Sequence, residues 1–169
     1  MNEESAPLVW SHRDRRRFRG FMILTGLGLM VPGLIYSSSL PDTVKAFGQV
    51  LGSAAAPFVT GATVVALLAG GLSFILGRFV RIGSVLAAAA LICGSLIHYA
   101  WSTMMMQRMD LVPDGISPEQ QQLLQDTILF AANAQIPHII KNMILIGVCG
   151  LFFFLAPSVC GSTITRRRP

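Results

Sequence analysis

Ile136-Pro137-His138-Ile139-Ile140-Lys141-Asn142 runs directly into the uninterrupted apolar stretch Met143–Ala156. Pro137 to Pro157 has the length of a bilayer crossing, about 20 residues. A spanning segment must satisfy its own backbone hydrogen bonds, so this one is a helix. A proline, an imidazole, an ammonium and an amide stand together at its mouth. Ionisable groups at that depth are expensive, which makes them candidates for function.

The remainder of the chain supports the membrane assignment. It has 169 residues, of which 53% are hydrophobic and 12% charged, with a mean hydropathy of +0.61. A soluble domain carries about 25% charged residues. The apolar stretches predict spans near 21–40, 58–76, 83–104 and 137–157. The run Phe21–Tyr36 follows Arg13-Asp14-Arg15-Arg16-Arg17-Phe18-Arg19 and precedes Ser37-Ser38-Ser39, which also fits a cleaved signal peptide. Its length favours a retained first span. Two connecting segments have helical character of their own. Val44, Phe47, Val50 and Leu51 predict a short amphipathic helix over about 43–51, lying at the interface or tucked into the bundle. Ser117-Pro118-Glu119-Gln120 is a capping-box start for a second surface helix with a Leu123, Leu124, Ile128, Ala131 stripe, running to about Ala134. Pro137 disfavours helix at Ile136, so a break is expected there. The fold class is therefore an all-α integral membrane protein, an antiparallel four-transmembrane-helix bundle with two outer amphipathic helices.

Arginine placement sets the orientation. Five lie in the N-terminal arm, two in the 77–83 turn and three at Arg166-Arg167-Arg168. The other two connections hold Lys45 and Arg108 with several carboxylates. Positive-inside counting puts both termini in the cytoplasm. The organisation is a basic arm over 1–20, whose first dozen residues read as a mobile tail, a membrane domain over 21–157 and a basic tail over 158–169. The net charge of +5 belongs to these helix ends, with no aromatic-interleaved basic patch, so nucleic acid is rejected as a partner. Cys93, Cys149 and Cys160 form no paired or metal-ligating pattern, and the first two read as small hydrophobes.

Helical depth gathers a polar layer at the outer end. Ala90, Gly94 and His98 share one face, pointing His98 into the bundle. His138 and Asn142 share another, with Lys141 rotated from Asn142 by about 100°. Asp42 is the nearest counter-ion for Lys141, and Trp101 lies at the same level. His98, Asp42, His138, Lys141, Asn142 and Trp101 are thus the candidate ligand-binding residues. Such donors suit a quinone oxygen or an anion. Read singly, each has a structural fate: snorkelling for Lys141, an aromatic belt for Tyr99 and Trp101, a helix–helix hydrogen bond for His98. His98 with His138 is the only pair available for haem. No catalytic motif, paired intramembrane carboxylates or metal-ligand set occurs, so no catalytic or metal residue is assigned.

The pattern resembles the DoxX family of small four-span bacterial membrane proteins over roughly residues 17–156. The resemblance rests on Arg17/Arg19-Gly20 with Gly26 and Gly33, on the Gly77-Arg78 turn, on the alanine-rich third span with His98, and on His138–Gly147 with its Lys141-Asn142 pair. It implies a bacterial inner-membrane location and a link to membrane redox chemistry, relatives including the membrane subunit of a thiosulfate:quinone oxidoreductase. The chain departs from a self-sufficient redox protein. It encodes no flavin, haem or iron–sulfur signature and no outer cysteine pair, and its outer loop Met104–Gln135 is long. The expected role is a redox-associated accessory or anchor subunit, non-catalytic by itself, with a quinone or small-ligand pocket near the outer face. The alternative is a purely structural subunit without a ligand; a solute carrier would need inverted repeats the chain lacks. Expected partners are the lipid bilayer and other membrane subunits or further copies of itself.

Overall fold

The computed structural model describes residues 10–111, 115 and 117–160, and its regular elements are all helical. They are α1 (His12–Ser38), α2 (Leu40–Leu51), α3 (Ala56–Leu76), α4 (Val80–Gln107), a 3₁₀ turn (Arg108–Leu111), α5 (Pro118–Asn133) and α6 (Ile136–Cys160). Four of these segments are long and apolar enough to cross a membrane: α1, α3, α4 and the stretch Pro118–Ala156 that contains α6. Large apolar side chains point outward along them, among them Leu24, Phe58, Ile144 and Phe154. In water such a surface would be an aggregation liability, whereas in lipid it is the solvated face.

The first helix begins earlier than the apolar run. It starts at His12, capped by the Ser11 side chain on the Asp14 amide, and carries the arginine cluster on continuous helix into the span. The arm expected over 1–20 is therefore helical from residue 12, while residues 1–9 and the tail over 161–169 lie outside the described residues. α2 starts at Leu40 directly after Ser39, with Pro41 in its first turn. The capping box at Ser117 and Gln120 forms as the spacing predicts, both bonds being present. The break before the last helix falls at Ala134-Gln135, just ahead of Ile136. Pro137 instead occupies the first turn of α6, where a missing N–H costs nothing.

Packing proceeds α1 on α3, α3 on α4 and α4 on α6. Lipid is as apolar as leucine, so close approach rather than hydrophobic burial drives these contacts. Glycines supply the approach. A Cβ on Gly26 would stand 2.6 Å from the Gly71 carbonyl oxygen, and one on Gly71 2.6 Å from that of Gly26. A Cβ on Gly70 would stand 2.9 Å from the Gly83 carbonyl oxygen and 3.0 Å from the Ala87 Cβ of α4. Residue pairs fix how the helices run past each other: Arg19 meets Phe74 and Ile75, Gly26 meets Gly71, and Gly33 meets Leu67 and Leu68. On α6, Phe153 meets Arg81, Asn142 meets Leu91, and His138 meets His98.

At the Arg19 end, α1 and α6 are joined by aromatic rings. Phe152 is fully buried and stands edge-on to Phe74, Phe18 and Phe21, with centroids 4.9, 5.5 and 5.5 Å away. Toward the His98 end that contact gives way to a groove between the two helices. A second, smaller core of Phe47, Ala56 and Ile97 seats α2 against α3 and α4.

Candidate functional site

Three adjoining cavities occupy the His98 end. The chamber beneath α2 measures about 320 Å³ and is lined by polar groups from several elements: Tyr36 of α1, Asp42 and Thr43 of α2, His98 and Trp101 of α4, and Gln135. Next to it lies a groove of about 260 Å³ between α1 and α6, lined by Tyr36, Thr63, Lys141 and Asn142 and otherwise by apolar residues. Tyr36 and Gly94 belong to both walls. Lys141 and Leu145 in turn line a shallower depression on the outside of α6.

His98 is the most constrained of the polar groups. Its Nδ1 lies 2.7 Å from the Gln135 Oε1. The Gln135 amide nitrogen donates to the Ala131 carbonyl at 3.3 Å, which fixes which end of the amide faces the ring. Oε1 must accept, so Nδ1 carries the proton and donates. In the neutral ring Nε2 is then left with a lone pair. The His138 ring stacks on His98 at 4.9 Å between centroids and only 9° between planes. Parallel rings at this separation do not converge on one ion, which disfavours the pair as axial haem ligands. No group of three or more potential metal-ligating side chains occurs among the described residues.

Asn142 is buried against α4, its amide nitrogen 3.5 Å from the Leu91 carbonyl and 3.4 Å from where a Gly94 Cβ would be. The first distance is at the limit of a hydrogen bond. A Cβ at Gly94 would only touch Asn142 in ordinary van der Waals contact. Lys141, one position earlier, faces away from α4 into the groove mouth.

Of the six residues expected at the site, Asp42, His98 and Trp101 line the chamber, Lys141 and Asn142 line the groove, and His138 backs the His98 ring. One expectation is corrected: Asp42 is not the counter-ion of Lys141. The two line different cavities and no ion pair joins them among the described residues, α2 packing mainly on α3 and α4. Four contributors escaped the sequence reading. Tyr36 and Thr43 resemble ordinary interfacial residues. Gln135 falls in the two-residue turn between α5 and α6, and only the turn's closure carries it to His98. The fourth is backbone. Pro32 lies inside α1 and offers no N–H, so the Gly28 carbonyl loses its helical donor, and both residues line the groove.

Cys93 and Cys149 behave as small hydrophobes. Cys149 is buried in the main core, and Cys93 lies 3.9 Å from the Thr63 hydroxyl. Comparison with family models, curated proteins and solved structures finds no match to this chain.

Proposed function

We propose that this protein is a DoxX-like accessory or anchor subunit of a membrane redox system, binding a quinone-class ligand in the chamber and groove beside His98. The carrying observation is that side chains from α1, α2, α4 and α6, together with the turn residue Gln135, line two cavities sharing Tyr36 and Gly94. A quinone needs donors at its carbonyl oxygens and acceptors once it is reduced. Lys141 and the Tyr36 hydroxyl can donate, and Asp42 and the His98 Nε2 can accept. The chain supplies nothing that would carry electrons, so the partner subunit would.

The same reading takes the four helices as an antiparallel bundle in a bacterial inner membrane. Both termini are cytoplasmic and the His98 end is outermost, as the arginine distribution favours. α2 and α5 lie at the outer interface, α2 as the roof of the chamber. A second copy or a partner subunit covers part of the lipid-facing surface.

Trp101 lines the chamber, and the other tryptophan is Trp10. In a Trp10→Phe protein the indole fluorescence therefore reports the site. Decylubiquinone should quench it saturably, and His98→Ala should weaken the effect. Quenching that rises linearly and identically in both proteins would reflect partition into detergent alone. The ligand role would then be abandoned for that of a purely structural subunit.

A further inference from the structure

We infer that the ligand is a single-tailed amphiphile whose ring or head occupies the chamber and whose tail lies in the groove between α1 and α6, reached sideways from the lipid. This rests on the quinone reading above and adds the placement and entry route.

The groove is built for such a chain. Its walls are Val31, Ile35, Leu67 and Leu145, interrupted by small Gly28 and Ala90. Its lining reaches no farther toward the Arg19 end than Gly28 and Leu67, and beyond them Phe18, Phe21 and Phe74 pack edge-on against Phe152. At the other end it adjoins the chamber through Tyr36 and Gly94, and on its side it adjoins the lipid-facing depression through Lys141 and Leu145. Polar groups stand where the two spaces meet and apolar ones along the groove, which is the polarity of a head followed by a tail. Lys141 marks the lateral mouth. Its exposed ammonium can follow an electron-rich oxygen as it passes from the interface into the chamber.

Gly28 also provides the test. A Cβ there meets nothing within 4 Å, so a larger side chain would fill the groove without disturbing helix packing. Gly61 of α3 is equally open but lines none of these cavities, and serves as the control. Two probes are titrated against Trp101 fluorescence in the Trp10→Phe protein: decylubiquinone, and the same ring bearing a methyl group in place of the tail. Gly28→Phe should weaken decylubiquinone by about tenfold, the scale of a steric misfit in a packed site, and leave the tailless ring within about twofold. Gly61→Phe should change neither. Val31→Phe narrows the same groove from the next turn and should repeat the pattern if Gly28→Phe does not fold. Equal weakening of both probes, or of neither, overturns the tail placement while leaving ring binding intact. If the tailless ring fails to bind even the parent protein, the quinone reading itself falls.

Discussion

Arg19→Leu should destabilise the protein far more than Arg16→Leu in the same N-terminal cluster. The last carbonyls of α3 have no partner within their own helix. Arg19 reaches across from α1 and donates Nη1 to the Phe74 carbonyl at 3.0 Å and Nη2 to that of Ile75 at 2.5 Å. Hydrogen bonds from a charged donor contribute about 1.5–3 kcal/mol each, and a cation at a helix C-terminus about 0.3–1 kcal/mol more. Arg19 is only half-buried, and water at the interface can replace part of what is lost, so the expected loss falls just below the low end of that sum, about 2–3 kcal/mol. Gly77 is the companion feature. It ends α3 in the left-handed region at φ 67°, and a Cβ there would overlap Arg19 Nη1. Gly77→Ala in the parent protein therefore meets both the left-handed penalty of about 1–2 kcal/mol and the overlap. In an Arg19→Leu background it meets only the penalty. Thermal or SDS-induced unfolding of the purified protein, followed by helical ellipticity, measures all four members of the cycle. Arg16, exposed on the same helix, is the control, with Arg16→Leu within about 0.5 kcal/mol of the parent. An Arg19→Leu protein as stable as Arg16→Leu, or additive effects of Arg19→Leu and Gly77→Ala, would refute the clamp.

Gly26→Val should lower the unfolding midpoint by the equivalent of about 1–3 kcal/mol, since its Cβ confronts the Gly71 carbonyl, whereas Gly20→Ala should be neutral or mildly stabilising. Asn142→Leu preserves volume and loses a bond already at its limit, so stability should change by less than about 1 kcal/mol; a marked loss of quinone quenching in that variant would then identify Asn142 as a ligand contact rather than a packing one. Gln135→Ala removes the acceptor that holds the His98 ring, and should weaken quenching in the direction of His98→Ala without matching it. In a Cys160→Ala protein, a membrane-permeant maleimide should modify Cys93 faster than Cys149, which is only 1% exposed; equal rates would contradict the core packing.

Much of this architecture was legible along the chain. Four apolar stretches of bilayer length leave the backbone no alternative to helix in lipid, so their number and type follow from local composition. The start of α5 was equally local, because Ser117 and Gln120 satisfy each other within one turn. The face bearing Ala90, Gly94 and His98 could be read from helical periodicity alone. Helix ends were less secure. Nothing in the arginine cluster forbids helix, so α1 continues back to His12, and the break near Pro137 slides to Ala134-Gln135, where a turn can form without sacrificing the proline's place in the first turn.

Sequence by itself thus determined the long apolar helices, and counting along them brought His98, His138, Lys141 and Asn142 toward one level, with the structure setting His98 beside His138 and Asn142 about one turn along, beside Leu91. Only the tertiary structure decided how that level is divided. Rotation about each helix axis, the roofing of the chamber by α2 and the parting of α1 from α6 beyond the Phe152 cluster depend on contacts between residues far apart in the chain. Those contacts separate Asp42 from Lys141, bring Gln135 to His98, and turn the Ile136–Asn142 stretch into two neighbours with different surroundings. Lys141 stands exposed at the mouth of the groove, while Asn142 is buried against α4 beside Leu91.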